Sequence, residues 1–395
     1  MSTSTTAAER GPLVISGYRR ADGRLGLRNH LLVLSTLALT NRVAQLAAAA
    51  EPGCLVVAGD LQRGLRGRDA MLQERVVQAL LQHPNVGGAV VFVHDTPARM
   101  RLQAWAHGCG RPVQVLAFME GCGVDATIQR GRRAIADMRA ALATQQRSSG
   151  HLGELTIALE CGGSDATSAV CANPTIGAFV DRVVSQGGSA IVSETAEFIG
   201  AEPVVTRRAA SAQAGQDIID AIRRRERMMQ DDGEDYRGVN PTPENIAGGL
   251  STLVEKSMGA VAKCGESAFM GRLDFAEPPP GPGLWFMDTP FFSPVSITGM
   301  VCGGAQLTLF GIGVFNPSAV PLAPTVRVCG NPGTVKDWPD AIDVDVSMLV
   351  DGRITLAEAA DLLRLKVQAV CDGTLTWAER WGEGQVIVPR ESASI

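Results

Sequence analysis

A short run in the second half of the chain combines a cysteine, two glycines, a serine and an aspartate. Residues 160–174 read ECGGSDATSAVCANP, after an apolar strand-like run and before a helix-like segment. A glycine turn between a strand and a helix is a common site for an anion or a substrate. The candidate side chains of this turn are Cys161, Ser164, Asp165 and Asn173. Cys161 is equally consistent with a thiolate metal ligand and with a small buried residue.

Two carboxylates follow the next strand-like run. Residues 193–197 read SETAE, which places Glu194 and Glu197 at the carboxyl end of a predicted strand. Carboxylates in this position are suited to binding a metal or transferring protons. Carboxylates at a helix N-terminus also cap the helix and favour its dipole. The sequence leaves both alternatives open.

A lysine and a further strand end complete the candidates in this half. Lys256 follows Glu255 in the middle of a predicted helix, within GGLSTLVEKSMGAVAKCG. The two residues form either an exposed charged pair or a site where a buried lysine acts as a base with a lowered pKa. The run LWFMDTP places Asp288 and Thr289 at the end of another predicted strand.

An arginine-rich segment lies near the amino terminus. Residues 17–29 read GYRRADGRLGLRN, with Arg24, Arg28 and Asn29 just ahead of the first predicted strand. Guanidinium groups bind carboxylates in a bidentate manner, and glycines let the backbone approach an anion closely. An ordinary basic surface turn explains the same composition.

Apolar runs alternate with helix-length segments along the chain, the pattern of α/β domains with parallel sheets. We predict two Rossmann-like parallel-sheet domains, residues 14–145 and 152–390, joined by a polar linker at 144–153 and without an amino-terminal small β domain. No glycine-rich dinucleotide motif and no P-loop motif is present. The predicted strands are 30–35, 54–59, 88–93, 112–118, 154–160, 189–193, 283–287, 305–310 and 325–329, and the predicted helices are 40–50, 69–82, 97–107, 125–143, 175–186, 212–230 and 356–371.

Composition narrows the class of protein. The chain has 395 residues, 45% of them hydrophobic, and a formal net charge of −5, which disfavours nucleic acid or an anionic membrane as the main partner. Its first 11 residues form a polar tail without an export signal, and no apolar run has the length of a membrane span. Nine scattered cysteines favour a reduced, cytoplasmic chain over a disulfide framework. The five histidines lack zinc-protease spacing.

Taken together and in this order, the motifs resemble those of the altronate/galactarate dehydratase family. The resemblance extends from about residue 17 to about residue 386. It is carried by GYRRADGRLGLRN, QHPNVG, ALECGGSDATSAVCANPTIG, VSETAEFIGAE, GVNPTPEN, EKSMG, LWFMDTP and GGAQLTLF. The resemblance implies a hydro-lyase that converts a sugar acid such as altronate or galactarate to a 2-keto-3-deoxy acid with divalent iron. A related branch acts on sulfolactate with separate small and large subunits.

The resemblance also implies roles for the matching residues. The residues that it implies bind the substrate are Arg24, Arg28, Asn29, Ser164, Asp165, Asn173, Asp288 and Thr289. Glu194 and Glu197 serve a metal or proton transfer, Lys256 is the candidate base, and Cys161 is the candidate metal ligand. The substrate is a small anionic hydroxycarboxylate, and we expect a homo-oligomer.

This sequence departs from the family pattern at two places. Only 16 residues precede Gly17, where full-length members begin with a small β-rich domain, so we expect a separately encoded small subunit. The family also places cysteines after the first three strands, where this chain has Leu39, Leu65 and the His94–Asp95 pair. If the family's cysteines bind iron, this chain lacks those soft thiolate ligands. The protein is then expected to use another metal, to act on another hydroxy acid such as sulfolactate, or to be a non-catalytic subunit that binds a sugar acid.

Overall fold

The computed structural model describes residues 13–121, 123–231 and 239–392. The amino-terminal half forms a four-stranded parallel sheet in the order β4-β3-β5-β6. Its strands are β3 (His30–Ser35), β4 (Leu55–Val57), β5 (Val86–Val93) and β6 (Val113–Ala117), and its helices are α1 (Asn41–Ala48), α2 (Gly67–Gln82), α3 (Thr96–Ala106) and α4 (Val124–Ala143). Every residue of β5 is buried, as expected for a central strand with helices on both faces.

The carboxyl-terminal half forms a seven-stranded parallel sheet in the order β10-β11-β9-β8-β12-β13-β14. Its strands are β8 (Thr156–Gly162), β9 (Ser189–Val192), β10 (Phe269–Leu273), β11 (Gly283–Met287), β12 (Leu307–Ile312), β13 (Thr325–Cys329) and β14 (Val344–Asp345). Its helices are α5 (Asn173–Ser185), α6 (Glu202–Arg208), α7 (Ala212–Asp231), α8 (Pro243–Ala247), α9 (Leu253–Val261), α10 (Ser293–Cys302), α11 (Pro332–Asp337), α12 (Leu356–Cys371) and α13 (Trp377–Trp381). These two parallel sheets confirm the predicted fold class.

A third, small antiparallel sheet includes part of the stretch that was predicted as a linker. β1 (Val14–Arg19) pairs with β2 (Leu25–Gly26) on one side and with β7 (Ser148–His151) on the other. The strand β7 lies inside the polar stretch 144–153 that was predicted as a linker, so part of this stretch is a paired strand. Elsewhere in the described residues no separate small β domain is present.

The two halves share a hydrophobic core. Leu32, Val91 and neighbouring residues of the first sheet lie in the same buried cluster as Ile191 and Met287 of the second. Val386–Val388, near the carboxyl terminus, packs against this cluster, and the backbone N–H of Ile387 donates to Thr298 Oγ1 at 3.1 Å. The first and second sheets are therefore held in one packed unit.

Two further expectations concern cysteines and the membrane. The eight cysteines within the described residues form no disulfide. Among the described helices, none combines the length and the apolar composition needed to cross a bilayer. The predicted polar tail, residues 1–11, lies outside the described residues.

Candidate active site at the carboxyl edge of the second sheet

The candidate site lies where the order of the second sheet reverses. Strand β9 pairs with one edge of β8, and the next strands are added beyond β9. The later strand β12 pairs with the opposite edge of β8. Ligands of open α/β sheets bind at such a reversal, outside the carboxyl ends of the strands. Gly163, just after β8, has φ of 59°, and a Cβ there would lie 2.0 Å from the carbonyl oxygen of Val314. The glycine turn is thus required by the close approach of two strand ends.

Cys161 forms the floor of this turn. Its Sγ lies 3.2 Å from Ser164 Oγ, and Asn173 Nδ2 donates to it at 3.2 Å. Burial raises the pKa of the Cys161 thiol, and the nearby Glu197 carboxylate raises it further. The side chain is therefore a buried thiol rather than a thiolate.

Asp165 is fully engaged in holding the turn together. Its Oδ1 accepts hydrogen bonds from Thr167 Oγ1 at 2.7 Å and from the backbone N–H of Ser168 at 2.8 Å. Its Oδ2 accepts from Asn331 Nδ2 at 2.8 Å, which ties the turn to the end of β13. These contacts give Asp165 a positioning role.

Three glutamates lie together behind the turn, and one of them was not predicted. Glu160, Glu194 and Glu197 expose 1%, 1% and 0% of their surface. Burial raises the pKa of Glu160 to about 8, and burial together with the charges of Glu160 and Glu197 raises the pKa of Glu194 well above its ordinary value. Ser296 Oγ donates to Glu160 Oε2 at 2.5 Å, while Oε1 has no hydrogen-bond partner in the described part of the chain. Two of the three acids are thus suited to carry a proton at neutral pH.

Two lysines share the third glutamate. Lys263 Nζ, which follows α9 and is fully buried, lies 2.7 Å from Glu197 Oε2. Lys256 Nζ lies 3.5 Å from Glu197 Oε1, donates to Asn240 Oδ1 at 2.9 Å and sits 4.8 Å from the ring centre of Phe291. The Glu197 carboxylate raises the pKa of Lys263 despite its burial. A carboxylate, an amide oxygen and an aromatic ring face are the contacts that a cation makes, so the geometry supports an electrostatic role for Lys256 beside Glu197.

Glu194 lies on a strained turn anchored by the end of β11. Its φ is 61°, and its backbone N–H donates to Thr289 Oγ1 at 2.9 Å. Asp288 Oδ1 accepts from Thr195 Oγ1 at 2.7 Å, and its other oxygen pairs with Arg224. Asp288 and Thr289, predicted to bind substrate, therefore contact the turn that carries Glu194. The short 3-10 helix Thr195–Phe198 then brings Glu197 inward.

Space for a ligand lies beside the acids. The gap between Cys161 and Lys256 is too narrow for a water molecule. A pocket of about 510 Å³ lies on the Glu194 side of the cluster, lined by Phe292, Ser293, Asn316 and Gln385 among others. Its wall at Phe292 touches the cluster directly, because the backbone N–H of this residue donates to Glu194 Oε1 at 3.2 Å. The pocket has the size and mixed lining of a small-molecule site.

Comparison with known protein families accounts for nearly the whole chain. The family model described as D-galactarate/Altronate dehydratase, C-terminal, matches residues 152–394, and the model described as D-galactarate dehydratase/Altronate hydrolase, second domain, matches residues 17–143. The chain belongs to the D-galactarate/altronate dehydratase family. This match confirms the resemblance seen in the sequence motifs.

Relatives of this dehydratase family include three named lyases. The subunit beta of (2R)-sulfolactate sulfo-lyase from Chromohalobacter salexigens is 32% identical over 376 residues, covering 95% of this chain and 96% of that protein. Altronate dehydratase of Bacillus subtilis is 29% identical over 350 residues, covering 85% and 69% respectively. Galactarate dehydratase (L-threo-forming) of Escherichia coli is 25% identical over 395 residues, covering 93% and 74%. These relatives support assignment of the chain to the lyases.

The predicted arginine site lies away from the buried acids of this family member. Arg28 donates to both oxygens of Glu379, at 2.6 and 2.9 Å, and to the carbonyl oxygens of Leu27, Val370 and Thr374. Arg24 pairs with Asp22 at the surface. Asn29 accepts from Arg20 Nη1 at 2.8 Å. The structure does not bring these three predicted substrate-binding residues to the cluster.

The side chains of the candidate site can be compared with the ligands needed by the iron that the family resemblance implies. Within residues 13–121, 123–231 and 239–392, no three His, Cys, Asp or Glu side chains are grouped as metal ligands. At Glu197 the positive charge is supplied by Lys263 and Lys256, and the Cys161 Sγ contacts Ser164 and Asn173. The described residues therefore do not fit a divalent iron.

Proposed function

We propose that this chain catalyses β-elimination from a small 2-hydroxycarboxylate, with a sugar acid such as altronate or galactarate as the leading substrate. A base takes the proton from carbon 2, the electron pair forms the C2–C3 double bond, and the hydroxyl on carbon 3 leaves with a proton from an acid. The enol product then becomes a 2-keto-3-deoxy acid. The observation that carries this proposal is the buried set of acids and lysines at the reversal point of the second sheet.

Glu194 is the proposed proton donor to the leaving hydroxyl. Its raised pKa keeps a proton on the side chain at neutral pH, and the Phe292 N–H orients one of its oxygens. It also adjoins the pocket of about 510 Å³ that we assign to the substrate. A carboxylic acid held neutral in this way is a suitable general acid.

Lys256 and Glu197 are the residues proposed to remove the proton from carbon 2 and to stabilise the charge that this step creates. As an ammonium, Lys256 stabilises the negative charge that develops on the substrate carboxylate when the proton leaves carbon 2. Glu197 Oε1, which lacks a hydrogen-bond partner among the described residues, is the proposed proton acceptor. Lys263 holds the other oxygen of Glu197 in place. Substrate access to Glu197 requires the narrow gap at Lys256 to open.

A second candidate substrate is sulfolactate. It is supported by the match to the sulfo-lyase subunit beta, which extends over 96% of that protein. Proton removal from carbon 2 is common to both reactions, but the sulfite that leaves carbon 3 needs no proton. The same cluster therefore serves either substrate, and the leaving group distinguishes them.

The test is an anaerobic assay of the purified chain with altronate, galactarate and (2R)-sulfolactate. Formation of a 2-keto-3-deoxy acid from either sugar acid supports the leading proposal, and release of sulfite supports the second. Binding of a sugar acid without turnover, with or without added iron, would instead identify a non-catalytic binding subunit. Metal analysis of the same preparation tests the iron requirement implied by the family.

A small β-domain subunit is the proposed partner. One relative is named as a subunit, and the chain covers 69% and 74% of the two dehydratases, which leaves room for a further domain in the assembled enzyme. Full turnover by this chain alone would contradict the need for that subunit. The homo-oligomer and the cytoplasmic location remain predictions, the first tested by light scattering and the second by cell fractionation.

A further inference from the structure

The first sheet has a reversal point of its own. Starting from β3, the chain places β4 on one side and then returns to place β5 on the other, which gives the order β4-β3-β5-β6. In doubly wound sheets of this order a ligand binds outside the carboxyl ends of the first and third strands. Those strands are β3 and β5 here, and the acids of the proposed lyase site belong to the other sheet.

A cleft occupies this position. It encloses about 420 Å³ and is bordered by Thr36, directly after β3, and by Val93, the last residue of β5. Its walls are α2, α3 and the loop after β4. Val77, Leu102 and Trp105 supply an apolar floor. This combination of volume and lining is typical of sites for small organic ligands.

The loop that closes one side of the cleft is held in a fixed conformation. The backbone N–H of Gln62 donates to Gln73 Oε1 at 2.8 Å, and Gln73 Nε2 donates back to the carbonyl oxygen of Gln62 at 2.6 Å. At the start of the loop, the carbonyl oxygen of Leu61 accepts from the N–H of Ala38 at 2.8 Å. The cleft is therefore formed before a ligand arrives, which reduces the cost of binding.

Two arginines lie at the rim of the cleft. Arg63, on the loop, and Arg101, on α3, both line the cleft and are exposed. No hydrogen bond or ion pair reaches either guanidinium from the rest of the described chain. The carboxylate on the same rim, Glu74, accepts a hydrogen bond from Gln78 at 3.2 Å. The rim thus offers unpaired donors for an anion.

We propose that this cleft binds a nucleoside phosphate. The planar base lies against the half-buried indole of Trp105, and the phosphate is bound by Arg63 and Arg101. A ligand that uses both kinds of contact carries a flat ring, whose face stacks on the indole, together with an anionic group. A sugar acid supplies only the anion, so the cleft differs in specificity from the proposed lyase site.

The experiment measures binding of AMP and ADP to the full chain by calorimetry, with adenosine, inorganic phosphate and galactarate as separate probes. We expect AMP or ADP to bind, with adenosine and phosphate at least tenfold weaker. The double variant Arg63→Gln/Arg101→Gln should weaken nucleotide binding on the order of tenfold or more, and Trp105→Leu should also weaken it. Arg133→Gln, an exposed arginine on α4, is the matched control and should bind as the unaltered chain does.

Three results would overturn the proposal. They are no nucleotide binding at millimolar concentration, inorganic phosphate or galactarate binding as tightly as AMP, and equal loss of binding in the Arg133→Gln control. Because Arg63, Arg101 and Trp105 lie outside the proposed lyase site, lyase turnover in these variants reports separately on the proposed function. Circular dichroism confirms that the Trp105→Leu protein is folded.

Discussion

The backbone N–H of Phe292 donates to Glu194 Oε1 at 3.2 Å, and both residues have positive φ, 118° and 61°. Neither is glycine, so each conformation costs on the order of 1–3 kcal/mol that the surrounding structure must offset. Strained residues of this kind concentrate at functional sites. Here the strain aims an amide donor at a buried carboxyl group beside the proposed substrate pocket.

Replacing Glu194 with Gln tests its role as the proton donor. Dehydration of a sugar acid should fall by roughly 10²–10⁴-fold, because the leaving hydroxyl then lacks its proton. Elimination of sulfite, which leaves as an anion, should change far less. The measurement is kcat for each substrate that the unaltered chain converts. Glu255→Gln, which changes an exposed carboxylate on α9, is the control and should leave kcat unchanged.

Two substitutions of Lys256 distinguish a cation from a base. Lys256→Arg keeps a positive charge but cannot act as a base near neutral pH, whereas Lys256→Met removes both properties. If the ammonium stabilises developing charge, the Arg variant should retain activity within about tenfold and the Met variant should lose roughly 10²-fold or more. Equal loss of kcat in both variants would return the role of base to Lys256. Thermal unfolding of each variant verifies that the fold is intact.

The pH dependence of stability should report the buried acids. Burial raises the pKa of Glu160 from its ordinary 4.5 to about 8, so between these values the unfolded chain has lost a proton that the folded chain retains. The free energy of unfolding therefore decreases as pH rises through this window, by at most about 1.4 kcal/mol per pH unit from this group. Glu160→Gln should make the decrease smaller, as measured by urea unfolding from pH 5 to pH 8. An unchanged slope in this variant would contradict the burial argument.

Much of the fold follows from the sequence because most elements carry continuous buried apolar runs. Strand β13 and helix α12 begin and end at the predicted residues. Strand β7 was missed because its residues Ser148–His151 are polar and largely exposed, and it is defined only by pairing with β1. Local hydrophobic patterns contain no information about such a partner.

The candidate site was predictable in part. Cys161, Glu194, Glu197 and Lys256 were identified because they follow strand-like runs or lie in an apolar helix, and the structure brings them together. Glu160 and Lys263 were missed, although a charged residue inside an apolar run such as TIALECG or GAVAKCG is a detectable signal. Arg28 was predicted to bind substrate because it lies in an arginine- and glycine-rich segment. The structure pairs it instead with a glutamate 351 positions away, and a contact of that separation cannot be read from the sequence.

Replacing Arg28 with Met tests whether this arginine stabilises the fold or binds the substrate. Its side chain and that of Glu379 are 9% and 15% exposed, and the pair joins the start of the first sheet to α13. Arg28→Met should lower the free energy of unfolding by about 3 kcal/mol, because it leaves the Glu379 carboxylate partly buried without its partner. The KM of the folded variant should stay within about twofold of the unaltered value, since the hydrogen-bond partners of Arg28 among the described residues lie outside the proposed site. Arg24→Met is the matched control at the exposed Arg24–Asp22 pair and should cost about 1 kcal/mol or less. A large rise in KM with little loss of stability in Arg28→Met would restore the arginine to the substrate site.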